Sequence, residues 1–454
     1  MVPLSNELKE KIMQQTANQN IMPVTARLND QNHLEIGGCD TVDLANTYGT
    51  PLYVFDEQTI RSITADYKKA FEKYENINMM FAAKAFMTKA MCKLMQDVGF
   101  GLDLCSGGEI YTAFNAGFDM SQTVFNGNNK SFDELNYALE IGVGTISVDN
   151  FLELAMLDNV AKSYNKNVKI LLRITPGIEC HTHEYIQTGH LDSKFGFDLV
   201  QLDEAIELIK NEYTNLDFAG LHAHIGSQIF EQQVYYDEIE VFFKEFARIK
   251  EVHGIELTDI NLGGGLGIKY TEADEPVSIY EMASFINDSI EVNLKKYGIK
   301  MPHIYIEPGR SVVGTSGVTL YTVGSSKQVP NGRKYITVDG GMADNLRPSL
   351  YQAEYTVKCA NKFDEADEAK VTVAGRFCES GDILAKDIDL PLVTEGDLLC
   401  FFTTGAYGYS MSSNYNRVLK PAAILVNDGK SDIIIERQTY EEMCESDVIP
   451  SRFN

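Results

Sequence analysis

Long hydrophobic runs, close cysteine pairs and any surplus of positive charge are missing from this chain of 454 residues. Without an unbroken apolar run long enough for a bilayer, no membrane-spanning helix is expected. The opening stretch Met1 to Asn20 is polar and charged and lacks the apolar centre of a secretory leader, so a cytoplasmic protein is expected. The eight cysteines (Cys39, Cys92, Cys105, Cys180, Cys359, Cys378, Cys400 and Cys444) are scattered, without the spacing of zinc knuckles or redox motifs. Lys and Arg number 39 against 65 Asp and Glu, a net charge of −26 that argues against nucleic acid or an anionic membrane as partner. Any anion bound here has to be held by local groups.

What is present is enough apolar material, 44% of the residues, for a large core, and a length that suggests two domains. From Met79 to Arg310, β-rich runs alternate with amphipathic stretches: Met79–Ala83, Gly101–Leu104, Thr123–Phe125, Thr145–Val148, Val168–Ile174, Ala219–Ile225, Thr258–Leu262 and His303–Ile306. Eight such units predict a (β/α)8 barrel, an α/β fold, over residues 54–314. A doubly wound sheet is the alternative, but it would divide between crevices the polar residues that follow these runs. After Arg310 the pattern turns to short strands with turn signals. This predicts an all-β second domain, an antiparallel sandwich or Greek-key barrel, from residues 315–454 together with 1–53.

Lys84 closes the apolar run Met79 to Ala83 and precedes Ala85 and Phe86, a setting in which a buried ammonium is costly. A lysine there either snorkels to water or is an amine that condenses with an aldehyde. Gly263-Gly264-Gly265-Leu266-Gly267 follows a strand without the dinucleotide or P-loop spacing; it is either a tight turn or a place where backbone N–H groups approach a phosphate. Glu307-Pro308-Gly309-Arg310 adds a carboxylate and a guanidinium after the eighth run. His222 and His224, two apart on a strand, share a side and suit either a metal, as in a barrel hydrolase, or stacking on an aromatic cofactor. A second group, His181, His183 and His190, lies in a polar loop and reads more readily as surface histidines. Cys378, among Arg376, Glu379 and Asp382, fits a functional thiol, whereas the other seven cysteines are expected to be buried. An imine-forming lysine, a glycine phosphate turn, an acid and a histidine for a ring, with no nucleotide motif, point to pyridoxal phosphate.

The segments Phe81 to Ala85, His222 to Gln228, Gly263 to Gly267, Glu307 to Arg310, Val338 to Met342, Arg347 to Tyr351, Cys378 to Asp382 and Gly405 to Tyr407, in this order, resemble the fold-type III, alanine-racemase-like decarboxylases, and among them the group acting on diaminopimelate. The resemblance implies that Lys84 carries the cofactor as a Schiff base and that Glu307 keeps the pyridine nitrogen protonated. It also implies that His224 stacks on the ring, and that Asp103, Ser227, Gly264, Gly265, Pro308, Gly309, Arg310 and Tyr407 complete the cofactor site. Cys378 and Glu379 are implied to reach in from a second subunit, making a homodimer with shared sites. A selective site for meso-diaminopimelate needs a cation and an anion at the end that does not react. Arg310, Arg347 and Tyr351 are expected near the distal carboxylate and Glu379 near the distal amine, with Tyr407 also touching substrate. A decarboxylase of ornithine, lysine or carboxynorspermidine is the related alternative, and a pyridoxal-phosphate carrier without activity is the non-enzyme one.

Overall fold

The computed structural model describes residues 14–178 and 193–453. It divides into two compact units. The first comprises Arg61–Ile268, Glu275–Val312 and the described part of Met1–Gln19; the second comprises Asn20–Ile60, Lys269–Asp274 and Val313–Asn454. The division falls after Ile60, so the strand Leu52–Asp56 and residues 57–60 belong to the second unit.

Among the described residues, the barrel of the first unit is formed by eight parallel strands: β1 (Ile77–Ala82), β2 (Gly101–Leu104), β3 (Thr123–Phe125), β4 (Thr145–Val148), β5 (Val168–Thr175), β6 (Leu216–His222), β7 (Asp259–Asn261) and β8 (His303–Ile306), with a two-residue strand, Phe197–Asp198, added parallel to the end of β5. Each pairs with the next, and β8 returns to β1 with Ile304 beside Ile77, so the sheet closes into a barrel and not an open doubly wound sheet. Their near-continuous burial, complete in β3, β4 and β7, explains why they read as apolar runs.

Short polar residues then start the helices. Thr88 accepts the N–H of Met91, Ser106 that of Glu109, Asn150 that of Glu153 and Ser278 that of Glu281, while Ser131 and Glu134 form a reciprocal capping box. Except for Ser278, which follows β7 only after a long loop, these caps lie a few residues beyond strand ends and place helix N-termini on the face where the functional residues collect. Among the described residues, no helix is long and apolar enough to cross a membrane.

The second unit is built on a sheet running Ile383–Leu390, Ala369–Ala374, Lys334–Val338, Gly317–Gln328, Leu52–Asp56, Ala422–Asn427 and Lys430–Ile435, with Leu398–Phe401 beside Gly317–Gln328 and Val357–Cys359 beyond it. Period-two alternation sends Leu52 and Val54 into one core with Val318, Leu320, Leu398, Cys400, Ala422 and Ile424. The expectation of a purely antiparallel domain is corrected here. Lys334–Val338 runs parallel to Ala369–Ala374, and Ala422–Asn427 runs parallel to Leu52–Asp56. Both pairings join segments that are not successive hairpin partners, so turn signals do not reveal them.

Candidate active site

Lys84 sits in a single 3-10 turn, Ala83–Ala85, directly beyond β1. Its neighbours Ala83, Ala85 and Phe86 are buried, but Lys84 itself is exposed, which overturns the expectation of a buried ammonium. The apolar neighbours anchor the turn while the side chain leaves it. Its positive charge acts on Asp103, Glu109, His222, His224 and Glu307, which groups these five around it.

Glu307, just past β8, is the buried centre of this group. Its Oε1 accepts from the Asn261 side-chain amide of β7 at 2.6 Å and from Asn126, just past β3, at 3.2 Å. Its Oε2 lies 3.6 Å from His222 Nε2. Burial opposes its ionisation, but His222, the Asn261 amide and the charge of Lys84 outweigh burial and hold Glu307 below the ordinary carboxylate range. Asp103 of β2, bonded by the same Asn126 at 2.5 Å, is driven the other way, first by burial and then by the charge of Glu307. Two buried carboxylates therefore share one negative charge, located on Glu307.

The two histidines do not act as a pair on one strand side. His222 ends β6 and its Nδ1 meets Ser147 Oγ of β4 at 2.7 Å inside the barrel. His224 lies beyond the strand, half-buried, and its Nδ1 accepts the Gly264 N–H at 3.2 Å. Burial, followed by the charges of Lys84 and Arg173, keeps His224 well below the usual histidine range, so the ring is neutral. Among the described residues, no three His, Cys, Asp or Glu side chains group as metal ligands. His181, His183 and His190 lie outside the described residues.

The glycine turn is shaped by close backbone approach. A Cβ on Gly264 would stand 2.1 Å from the Glu307 carbonyl oxygen, and one on Gly265, at φ +115°, would stand 2.5 Å from that of Gly226. The Glu307 N–H donates to Gly263 O at 2.6 Å, and Gln228 exchanges two hydrogen bonds with Ile268, so the loops after β6, β7 and β8 are laced together. Pro308 O accepts the Ala82 N–H at 3.1 Å, fixing the Glu307–Arg310 segment on the end of β1. From there buried Arg310 donates to Ser227 Oγ through Nε at 3.1 Å and Nη2 at 2.8 Å.

In the second unit, Arg347 is buried inside three tyrosine rings, with Cζ 5.1, 5.8 and 5.9 Å from the centres of Tyr270, Tyr351 and Tyr355. Its Nη1 donates to the hydroxyls of Tyr270 at 3.0 Å and Tyr355 at 2.8 Å; among the described residues no carboxylate pairs with it. Cys378 and Glu379 lie on an exposed loop, where the Cys378 N–H donates to Asn416 Oδ1 at 3.1 Å and Glu379 accepts from the Tyr415 hydroxyl. Tyr407 is half-buried and held at φ +60°, a left-handed conformation uncommon for a bulky side chain and frequent at functional sites. Burial of the other cysteines holds only for Cys92, Cys359 and Cys400. Cys39 and Cys105 are half-buried, and Cys444 is exposed at the end of a short surface helix; Cys180 is outside the described residues.

Reading the sequence for chemistry missed Asn261, Ser147, Tyr270 and Tyr355. An asparagine at the end of a buried strand, one residue before three glycines, was the available signal for Asn261. The tyrosine cage gave none, because Tyr270 and Arg347 are 77 positions apart.

The barrel residues fit pyridoxal phosphate. Lys84 offers the amine, Glu307 a buried negative charge that suits a pyridinium N–H, His224 a flat neutral ring, and the turn at Gly264 and Gly265 a cradle that any Cβ would obstruct. The class defined by this fold and site is a pyridoxal-phosphate barrel enzyme. A family model described as "Pyridoxal-dependent decarboxylase, pyridoxal binding domain" matches residues 58–314. A diaminopimelate decarboxylase of Bacillus subtilis is 49% identical over 428 residues, covering 93% of this chain and 97% of the relative. One from Synechocystis is 46% identical, covering 96% and 94%. The crystal structure of diaminopimelate decarboxylase from M. jannaschii in complex with L-lysine superposes with a TM-score of 0.89 at 32% identity, covering 96% of this chain and all of that one. The chain belongs to the diaminopimelate decarboxylase family of pyridoxal-dependent decarboxylases.

Proposed function

We infer that this protein decarboxylates meso-2,6-diaminopimelate to L-lysine and carbon dioxide, the last step of lysine biosynthesis, with pyridoxal phosphate as cofactor. Arg347 carries the choice of substrate. A buried guanidinium without an anion is expensive, and two of its edges, Nη2 and Nε, make no hydrogen bond among the described residues. A carboxylate at the non-reacting end of the substrate resolves that cost. Ornithine and lysine bring no carboxylate to that end, so a decarboxylase of either would leave the charge unpaired.

When bound, pyridoxal phosphate supplies the electron sink that receives the pair left as carbon dioxide departs. The chain's residues do the rest. Lys84 Nζ is the amine that would hold the cofactor aldehyde, and Glu307, supported by Asn126, Asn261 and His222, would keep a proton on the ring nitrogen. Asp103, neutral beside it, adds no second charge. His224 would face the ring, while Ser227, the Gly264–Gly265 and Pro308–Arg310 backbone and Tyr407 would hold the phosphate and ring edge. Arg310, Arg347 and Tyr351 orient the distal carboxylate, and Tyr407 also contacts the substrate. Cys378 moves a proton and Glu379 receives the distal amine, both from a second copy of the chain; their exposed loop supports that assignment. Seven free thiols among the described residues support a reducing, cytoplasmic setting.

Carbon dioxide release from a panel of meso-diaminopimelate, L-lysine, L-ornithine and carboxynorspermidine tests the reading. Release from diaminopimelate well above the others is expected; preferential turnover of lysine or ornithine would refute it.

A further inference from the structure

Asp382 is almost wholly buried, yet it belongs to the same short segment as the exposed Cys378 and Glu379. Its Oδ2 accepts the Phe377 N–H at 2.9 Å and its Oδ1 the Met342 N–H at 2.7 Å. Its own N–H donates to Glu379 O at 3.1 Å, and its carbonyl accepts the Gly375 N–H at 3.0 Å. One side chain thus fastens the loop that presents Cys378 to a second strand of chain at Met342. That second strand leads straight to Arg347: Gly341 O accepts the N–H groups of Asp344 at 3.1 Å and Asn345 at 2.9 Å, and the turn so formed delivers the helix Arg347–Tyr351. A further bond closes the circuit, with Ser349 Oγ of that helix donating to Gly381 O at 2.9 Å. The fit is tight, since a Cβ on Gly375 would meet the Asp382 carboxylate at 2.2 Å.

We propose that Asp382 is a positioning residue that sets the Cys378–Glu379 loop and the Arg347–Tyr351 clamp together, so that neither can shift without the other. The proposal rests on the roles given above to Arg347 and Cys378. A carboxylate suits this task because its two oxygens can each accept a backbone N–H, whereas an asparagine of the same shape turns one acceptor into a donor aimed at an N–H.

The test uses the full-length holoenzyme carrying Asp382→Asn. The clamp is read by the ratio of inhibition constants for cadaverine and L-lysine, which differ only in the carboxylate that Arg347 holds. The loop is read by the further loss in kcat when Cys378→Ala is added. The loss of one charge-assisted bond to the clamp turn is expected to shrink the cadaverine-to-lysine ratio by about tenfold. Cys378→Ala is expected to cost several-fold less in the Asp382→Asn background than alone, because the thiol is already displaced. A drop in Tm with both readings unchanged overturns the proposal, as does a change in one reading without the other. If Asp382→Asn fails to fold, Ser349→Ala removes only the bond to Gly381 and is expected to move both readings in the same direction by about twofold to threefold; no movement in either overturns the coupling. Absence of lysine-over-cadaverine preference in the unmodified protein is a different result: it refutes the Arg347 reading itself, and the proposal with it.

Discussion

Arg347→Lys separates charge from geometry at the proposed substrate clamp. The arginine spends Nη1 on the hydroxyls of Tyr270 and Tyr355 and presents its remaining edge to a carboxylate. Lysine keeps the charge but has three donors on one atom at the end of a shorter reach. It can serve the tyrosines or the carboxylate, not both in the same geometry. The loss amounts to one charge-assisted hydrogen bond of a bidentate pair, about 1.5–3 kcal/mol. That corresponds to a fall in kcat/KM of roughly 10- to 150-fold for meso-diaminopimelate. Folding should suffer little, because the tyrosine cage still surrounds a cation. Initial rates of carbon dioxide release, paired with thermal melts of the holoenzyme, give both numbers. Unchanged kcat/KM would refute the clamp; so would an equal loss on a substrate analogue without the distal carboxylate.

Lys84→Ala should abolish the yellow colour and turnover while leaving the melting temperature of the apoprotein nearly unchanged, because the side chain it removes is exposed; residual activity would refute the anchor. Co-expressed with Cys378→Ala under two tags, it should recover about a quarter of normal activity, since about half of randomly paired dimers contain one intact site. If Cys378→Ala is inactive and verified mixed dimers stay inactive, the sites are not shared. Glu307→Gln should retain cofactor but lower kcat on the order of 10²-fold or more, since the buried charge that protonates the ring nitrogen is gone; a loss under threefold would rule that role out. Asp344 is pushed up to about 7 by burial, against the pull of the Tyr321 hydroxyl and the Gly341 N–H. Its folded value lies above its unfolded one of about 4, so between those values the native state binds the extra proton and stability falls as pH rises. Asp344→Asn should flatten that fall by roughly 1–4 kcal/mol between pH 4 and pH 8 in denaturant titrations; an unchanged slope would show that Asp344 is not the titrating group.

The sequence by itself determined the barrel and most of its functional face. Buried parallel strands are apolar almost throughout, so eight of them stand out as runs, and the short polar residues that cap the following helices mark where each run stops. Lys84, the glycine turn and Glu307 were legible because each is a residue type out of place at such an end. Tertiary structure decided what those residues experience. Local context could not say that Lys84 is exposed while Ala83, Ala85 and Phe86 are buried, because orientation depends on the packing around the turn. The ionisation of Glu307 over Asp103 depends on Asn126, Asn261 and His222, and the bond from Asn126 to Glu307 spans 181 positions. The parallel pairing of Leu52–Asp56 with Ala422–Asn427, the tyrosine cage of Arg347 and the burial of Asp382 likewise come from segments far apart in the chain. Local propensity fixes where elements begin and end; side-chain fields and hydrogen bonds between elements exist only once the chain has closed on itself.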